Sequence, residues 1–286
     1  MSNVLRALIS DGQVSLTIAD TTEVVRRGIK LHNLTSSAAV LFGRALSVAV
    51  FQGACLKERT GELSFSVKGD GLDGDICVSV DFSLSVRGYP AQSFTDESRM
   101  SLGETGDITV IRKDGYSRPF VGTSPFVSGG DIDAQFEEYY RVSEQLPTRI
   151  FTEVRLDEQG TVSFAGVVAL QPLPFASVQA VSALPAKTAM SDVLFRVEKE
   201  NLTVAAQTAF GSLTAVTEKT AEYRCHCSKE YLGEVLTSLG ETQMRQIIRE
   251  DGAVHIHCHY CNRDYQFTDE DADALFSVGK GGGEDE

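Results

Sequence analysis

The sequence predicts an α+β fold: an N-terminal core of mixed sheet and helix, a helical linker, and a small C-terminal cysteine-bearing domain. Three observations carry this. Up to about residue 170, period-two segments dominate over a few helical stretches, so strands and helices are partly segregated instead of repeating as βαβ units. Pro172, Pro174 and Pro185 then introduce a change to Ala, Thr, Val, Ser, Lys and Glu over 187–222, with little aromatic content. Beyond it, four cysteines gather within 225–261. The expected divisions are a core over 1–171, a linker of marginal stability over 172–222, a cysteine module over 223–276, and a disordered acidic tail over 277–286.

Taken in order, Thr22–Leu31 and 36–55 have helical spacing, and the second is apolar nearly all round, which makes it central to the core. Its most apolar run, 38–51, is broken by Arg44 and falls short of the about 20 residues a bilayer requires, so it reads as a buried helix. Leu63, Phe65 and Val67 alternate with Glu62, Ser64, Ser66 and Lys68, and Ile76, Val78 and Val80 alternate with Asp75, Cys77, Ser79 and Asp81. Both are half-buried strands, and Gly69-Asp70-Gly71 between them offers positions that accept positive φ, as in a hairpin. Further strands are expected at 108–112, 150–156 and 161–170, and a helix at 131–145 that ends at Leu146-Pro147. In the linker the main apolar anchors are Leu194, Phe195, Val197, Val204 and Phe210.

Composition narrows the partners. With 286 residues, 42% of them hydrophobic, the chain has the size of about two domains. Lys+Arg 26 against Asp+Glu 40 leaves a net charge of -14, a field that repels phosphate backbones and anionic membrane surfaces, so neither nucleic acid nor membrane is an expected partner. Asp11 arrives too early for a secretory signal, and a cytoplasmic location is expected. In that reducing setting grouped thiols hold metal or do redox work.

Cys225-His226-Cys227 and Cys258-His259-Tyr260-Cys261 form such a group. Two tight pairs supply the four sulfurs of a tetrahedral Zn²⁺ site, one zinc per chain, and their polar neighbours Arg224, His226, Ser228, Asn262 and Arg263 argue against four buried, unligated cysteines. Structural knuckles mostly place two to four residues between ligands. The single residue between Cys225 and Cys227 leaves a strained ring that reduces and re-forms readily, so both pairs can close locally when an oxidant strips the metal. A structural zinc supplies roughly 10–16 kcal/mol, against about 3–5 kcal/mol from the core of so small a module and about 2 kcal/mol from each short disulfide loop. Oxidation should therefore unfold the module. In a strand, His255 and His257 face away from Cys258 and, with His259, are read as solvent-facing; Cys55 and Cys77 have no cysteine or histidine nearby and read as small hydrophobes.

On these motifs the sequence resembles the redox-regulated heat-shock protein 33 chaperones. The resemblance rests on Tyr223-Arg224-Cys225-His226-Cys227-Ser228, Glu250-Asp251-Gly252, and Cys258-His259-Tyr260-Cys261-Asn262 followed by Tyr265 and Phe267. Upstream it includes Gly69-Asp70-Gly71, Val86-Arg87-Gly88, Tyr139-Tyr140 with Ser143-Glu144-Gln145, and Leu146-Pro147-Thr148, so it spans essentially the whole chain. It implies a heat-shock and stress-response holdase that works without ATP and is not an enzyme. Such a protein is inactive while reduced and zinc-bound, and its partners are unfolded or oxidatively damaged clients. It further implies zinc ligation by Cys225, Cys227, Cys258 and Cys261, disulfides Cys225–Cys227 and Cys258–Cys261 after oxidation, loss of support for the linker, and a homodimeric active form.

Two other readings are weaker. A zinc-ribbon nucleic-acid protein would want basic residues at the knuckles, where Glu222, Glu230, Glu234, Glu241, Glu250, Asp251 and Asp264 are as dense as the cations. A thiol-disulfide oxidoreductase would want its C-x-x-C at a helix N-terminus, yet Cys261 runs into the strand-like 263–267. Nor is there a catalytic triad, phosphate loop or dinucleotide fingerprint in the sequence.

Overall fold

The computed structural model describes residues 2–72, 74–90, 101–115 and 118–277; positions 278–286 of the expected acidic tail lie outside the described residues. The chain divides into two compact units after Arg224.

The first unit is built on strands β1 (Ser2–Ile9), β2 (Val14–Asp20), β3 (Glu62–Gly69), β4 (Ile76–Asp81), β5 (Ser85–Tyr89), β6 (Gly106–Lys113), β7 (Phe120–Pro125), β8 (Arg149–Leu156), β9 (Val162–Pro172) and β10 (Thr214–Tyr223). They form one sheet in the order β7-β6-β3-β4-β5-β10-β1-β2-β9-β8. Its two halves are antiparallel and meet at a short parallel join, Glu222 opposite Ser85 and Tyr223 opposite Val86. The expected pair at 62–81 is present, with Leu63, Phe65 and Val67 opposite Val80, Val78 and Ile76. The glycines of its turn serve differently from the expectation, since neither Gly69 nor Gly71 has positive φ. They let segment 101–106 come close: a Cβ on Gly71 would lie 2.6 Å from the Ser101 carbonyl oxygen, and Asp70 accepts the N–H groups of Glu104 and Thr105.

Helices α1 (Thr22–Leu31) and α2 (Ser36–Ala54) stand where the periodicity places them. By length and composition α2 matches a membrane span, but 78% of its apolar window is buried in the core. The helix expected at 131–145 has two parts: α3 (Ile132–Tyr139), capped by the Asp131 side chain, and a π-wound turn Tyr140–Glu144. Tyr139 and Tyr140, at the change from α to π winding, are both buried, with their rings 5.5 Å apart and edge to face.

One core surrounds α2, with Phe42, Leu46 and Phe51 packed among Val24, Phe65, Val78, Phe136, Ile150 and Val167. A second lies on the opposite face of β1, β2 and β9. Alternation makes both possible: along β9, Ala165, Val167 and Ala169 point to the first core, and Phe164, Val168 and Leu170 to the second.

That second core ties the segment expected as a linker to the sheet. Residues 172–222 lie inside the first unit. Of their helices, α4 (Val178–Ser182), α5 (Lys187–Val197) and α6 (Leu202–Phe210), the latter two bring Met190, Val193, Leu194, Val197, Ala205 and Ala206 down on Leu5, Leu16, Ile18, Phe164 and Val168. Leu194 and Val197 are buried anchors as expected, whereas Phe195 and Val204 stay exposed. Nor is the linker helical throughout, because β10 pairs antiparallel with β1, Ser2 opposite Ala221 through Leu8 opposite Thr214. The sequence signal was weak because β10 is exposed on both faces along Thr214–Glu218 and so shows no apolar alternation.

The second unit has α7 (Lys229–Thr237), α8 (Glu241–Asp251), a hairpin of β11 (Val254–Cys258) and β12 (Arg263–Phe267), and α9 (Asp269–Ser277). Its buried core is Leu236, Met244, Ile248, Val254, Phe267 and Ala272.

Candidate metal centre

Two short segments of the second unit build the site. Cys225 and Cys227 lie between β10 and α7, and the start of α7 is fixed directly after them by Ser228, whose Oγ accepts the Tyr231 N–H at 3.1 Å. Cys258 is the last residue of β11, and Cys261 sits in the turn to β12. That turn closes through Asn262, left-handed at φ 54, whose N–H donates to the Cys258 carbonyl at 2.8 Å. Gly252, also left-handed at φ 81, ends α8 with its N–H on the Ile248 carbonyl and turns the chain into the hairpin.

The four sulfurs converge. All lie within 4.8 Å of one another, with Cys225 to Cys227 at 3.2 Å, Cys225 to Cys258 at 3.7 Å and Cys227 to Cys261 at 3.1 Å. These are non-bonded separations of free thiols. A tetrahedron with metal–sulfur bonds of about 2.3 Å sets its sulfurs roughly 3.8 Å apart, so the cluster needs only small adjustments to hold a metal ion. A donor set of four soft thiolates suits Zn²⁺. Cys261 is buried and the other three are half-buried.

Hydrogen bonds single out Cys227. Its sulfur lies 3.2 Å from the Tyr265 hydroxyl and within reach of Cys225 and Cys261. Burial opposes ionisation of Cys227, but the hydrogen bonds from Tyr265, Cys261 and Cys225 outweigh it and hold the thiol down at about 7. Burial pushes Cys225 up to about 11, and burial with hydrogen bonding to Cys227 raises Cys261. Donation to Cys227, then desolvation, pushes Tyr265 up to about 12. The thiolate is the form that binds metal and reacts with oxidants, and these hydrogen bonds favour it at Cys227.

The histidines stand apart. His255, His257 and His259 are exposed, His257 Nδ1 lies 2.7 Å from Asp264, and none belongs to the sulfur cluster. Cys55 follows α2 with its thiol 3.7 Å from Gln171 Oε1, Cys77 lies in β4, and burial raises both thiols, which makes them poorly reactive. Cys258 and Cys261 frame a β-hairpin and not a helix N-terminus, against a thioredoxin-like reading. Sequence reasoning named Tyr265 only as part of a motif. Its contact with Cys227 depends on how the hairpin meets the Cys225–Cys227 segment, which spacing does not reveal.

A family model described as Hsp33 protein matches residues 2–268. A 33 kDa chaperonin of Bacillus cereus is 31% identical over 281 residues, covering 94% of this chain and 96% of the relative. Another of Clostridium novyi is 29% identical over 285 residues, covering 95% and 97%. Among solved structures, the 33 kDa chaperonin (heat shock protein 33 homolog) of Thermotoga maritima is similar at a TM-score of 0.77 and 25% identity, covering 97% of this chain and 98% of that one. Matched along nearly its whole length in sequence and in fold, the chain belongs to the Hsp33 family.

Proposed function

We propose that this chain is a redox-controlled chaperone that holds unfolding proteins without ATP and catalyses no reaction of its own. Membership of a family whose relatives are named 33 kDa chaperonins supports the chaperone itself. Its finer part is a switch. With Cys225, Cys227, Cys258 and Cys261 reduced and holding one zinc, the protein is inactive; oxidation to Cys225–Cys227 and Cys258–Cys261 removes the ligands, the second unit unfolds and the linker loosens.

The observation that carries this reading is the convergence of four free thiols on a unit whose apolar cluster, among the described residues, is as small as Leu236, Met244, Ile248, Val254, Phe267 and Ala272. Metal binding is worth roughly 10–16 kcal/mol there and the core alone about 3–5 kcal/mol, so the fold depends on the ligands. Two local disulfides return only about 2 kcal/mol each and join neither half to the other. Loosening of α5 and α6 would uncover Leu5, Leu16, Ile18, Phe164, Val168 and Leu170, a contiguous apolar sheet face of the kind unfolded clients bind. The working form is taken to be a cytoplasmic homodimer.

A second pairing has its own support, the 3.1 Å approach of Cys227 to Cys261. That bond would tie the two segments together, adding about 4 kcal/mol by loop closure, and would preserve the module it crosslinks. The two pairings therefore predict opposite outcomes. Metal release and suppression of client aggregation, followed together during peroxide treatment without ATP, should rise in step, and peptide mapping should find the local pairs. Equal aggregation suppression before and after oxidation would reject the switch.

A further inference from the structure

Resting on the redox reading above, we propose that Tyr265 is the positioning residue of the metal centre: its phenol holds the Cys227 sulfur by a hydrogen bond and thereby sets the oxidant threshold of the switch. Tyr265 lies on β12 opposite Ile256, two residues beyond Arg263, which is opposite Cys258. Strand alternation puts Arg263 and Tyr265 on one face, and the hydroxyl comes 3.2 Å from Cys227 Sγ and 3.3 Å from the Cys227 carbonyl oxygen. The ring is partly buried against the small core of the second unit, which restrains where the hydroxyl lies. Its one proton has two acceptors. An anionic sulfur is the stronger, and metal binding makes Cys227 a thiolate.

A metal-bound thiolate with an O–H donated to it has a lone pair engaged, and that lone pair is what attacks peroxide. In the oxidation step, the Cys227 sulfur attacks one oxygen of hydrogen peroxide, the O–O bond breaks, and hydroxide leaves and takes up a proton from the buffered solvent. A neighbouring cysteine thiolate then attacks the sulfenic sulfur and expels a second hydroxide. Two thiolates lose two electrons to form one disulfide, and one peroxide with two protons becomes two waters. Donation from Tyr265 lowers the nucleophilicity of the Cys227 sulfur and so slows the first attack, and because it favours the thiolate over the thiol it also raises the share of Cys227 ready to hold a metal.

The test uses the full reduced chain carrying Tyr265→Phe, which keeps the ring and removes the donor, with Tyr231→Phe on the exposed face of α7 as control. In the Co²⁺-loaded protein the sulfur-to-metal charge-transfer band should move to lower energy. Zinc affinity in chelator competition should fall about tenfold. Peroxide should release metal several-fold faster. Placing 3-fluorotyrosine at 265, a stronger donor of the same shape, should shift the band and the release rate the opposite way, which a merely structural role would not do. An unchanged band and affinity in Tyr265→Phe, or slower release, overturns the proposal, and if that variant does not fold the fluorinated chain decides by the same readouts. A wild-type protein that keeps its metal under peroxide overturns the redox reading and the threshold with it, while the band and the affinity still judge the hydrogen bond.

Discussion

At Arg44 the chain places a permanent cation in the middle of its most apolar helix. The guanidinium reaches the Asp133 carboxylate at 2.7 Å and that of Asp131 at 2.9 Å, and Asp133, fully buried, also accepts the N–H and Oγ1 of Thr152. Removing one member of such a set leaves its partner's charge stranded. Arg44→Leu should therefore cost about 3 kcal/mol or more, read as a lower denaturant midpoint of the reduced protein at unchanged slope. Asp131 works at the surface of the same cluster, capping α3 and pairing at 3.0 Å with Lys187, the first residue of α5. Burial opposes its ionisation, but the hydrogen bonds from Arg44, Ala134 and Lys187 prevail and hold it at about 2, below the roughly 3.9 of an unfolded aspartate. A depressed folded pKa stabilises above the unfolded value, and that contribution fades as pH falls from about 4 to about 2. The stability difference between wild type and Asp131→Asn should shrink across that window and stay constant from pH 5 to 7. At this scale the four cysteines were legible because ligand spacing is local in sequence; Asp131 and Asp133 were not, since they meet Arg44 only after α2 and α3 pack.

Among the elements, α5 is held by a few large side chains. Leu194 is fully buried, with its Cδ2 packed so closely over Gly166 that a Cβ there would come within 2.9 Å. Leu194→Ala should cost about 2–5 kcal/mol of local docking. Because β9 keeps α2 on its other face, that loss should fall on the linker. The reduced variant should then suppress client aggregation in part, without oxidant; a destabilised variant as inactive as wild type would separate linker docking from client binding. Sequence periodicity located α1, α2 and the 62–81 strand pair, because each buries one regular stripe or alternation. It missed β10, whose residues bury little and whose place is set by the β1 ladder.

Across the whole molecule, the metal centre and the sheet are joined by very little chain. The last sheet hydrogen bond, from the Arg224 N–H to the Val86 carbonyl at 2.8 Å, comes one residue before Cys225. Just ahead of it Tyr223 is pinned, its hydroxyl donating to the Gly88 carbonyl at 2.7 Å and lying 3.3 Å from His32 Nε2. Loss of the second unit therefore leaves β10 with a free end, held by one full ladder to β1 and by two residues to β5. Ala221 is the one fully buried residue of β10, so apolar burial contributes little to keeping it there. Opening should run backward from Cys225 through β10 into α6 and α5, and stop where α2 supports the sheet. Hydrogen exchange of the reduced, zinc-loaded chain against the peroxide-treated chain can follow this residue by residue. Protection should vanish over 187–277 and persist over 61–69, 76–81, 106–113 and 149–172. In β1 the loss should alternate, because every second N–H of an antiparallel strand faces the neighbour that has left, while the others stay bonded to β2. Simultaneous loss of protection in β3, β4 and β6 would mean that oxidation unfolds the chain globally, and the linker could then not be the element that the metal centre controls.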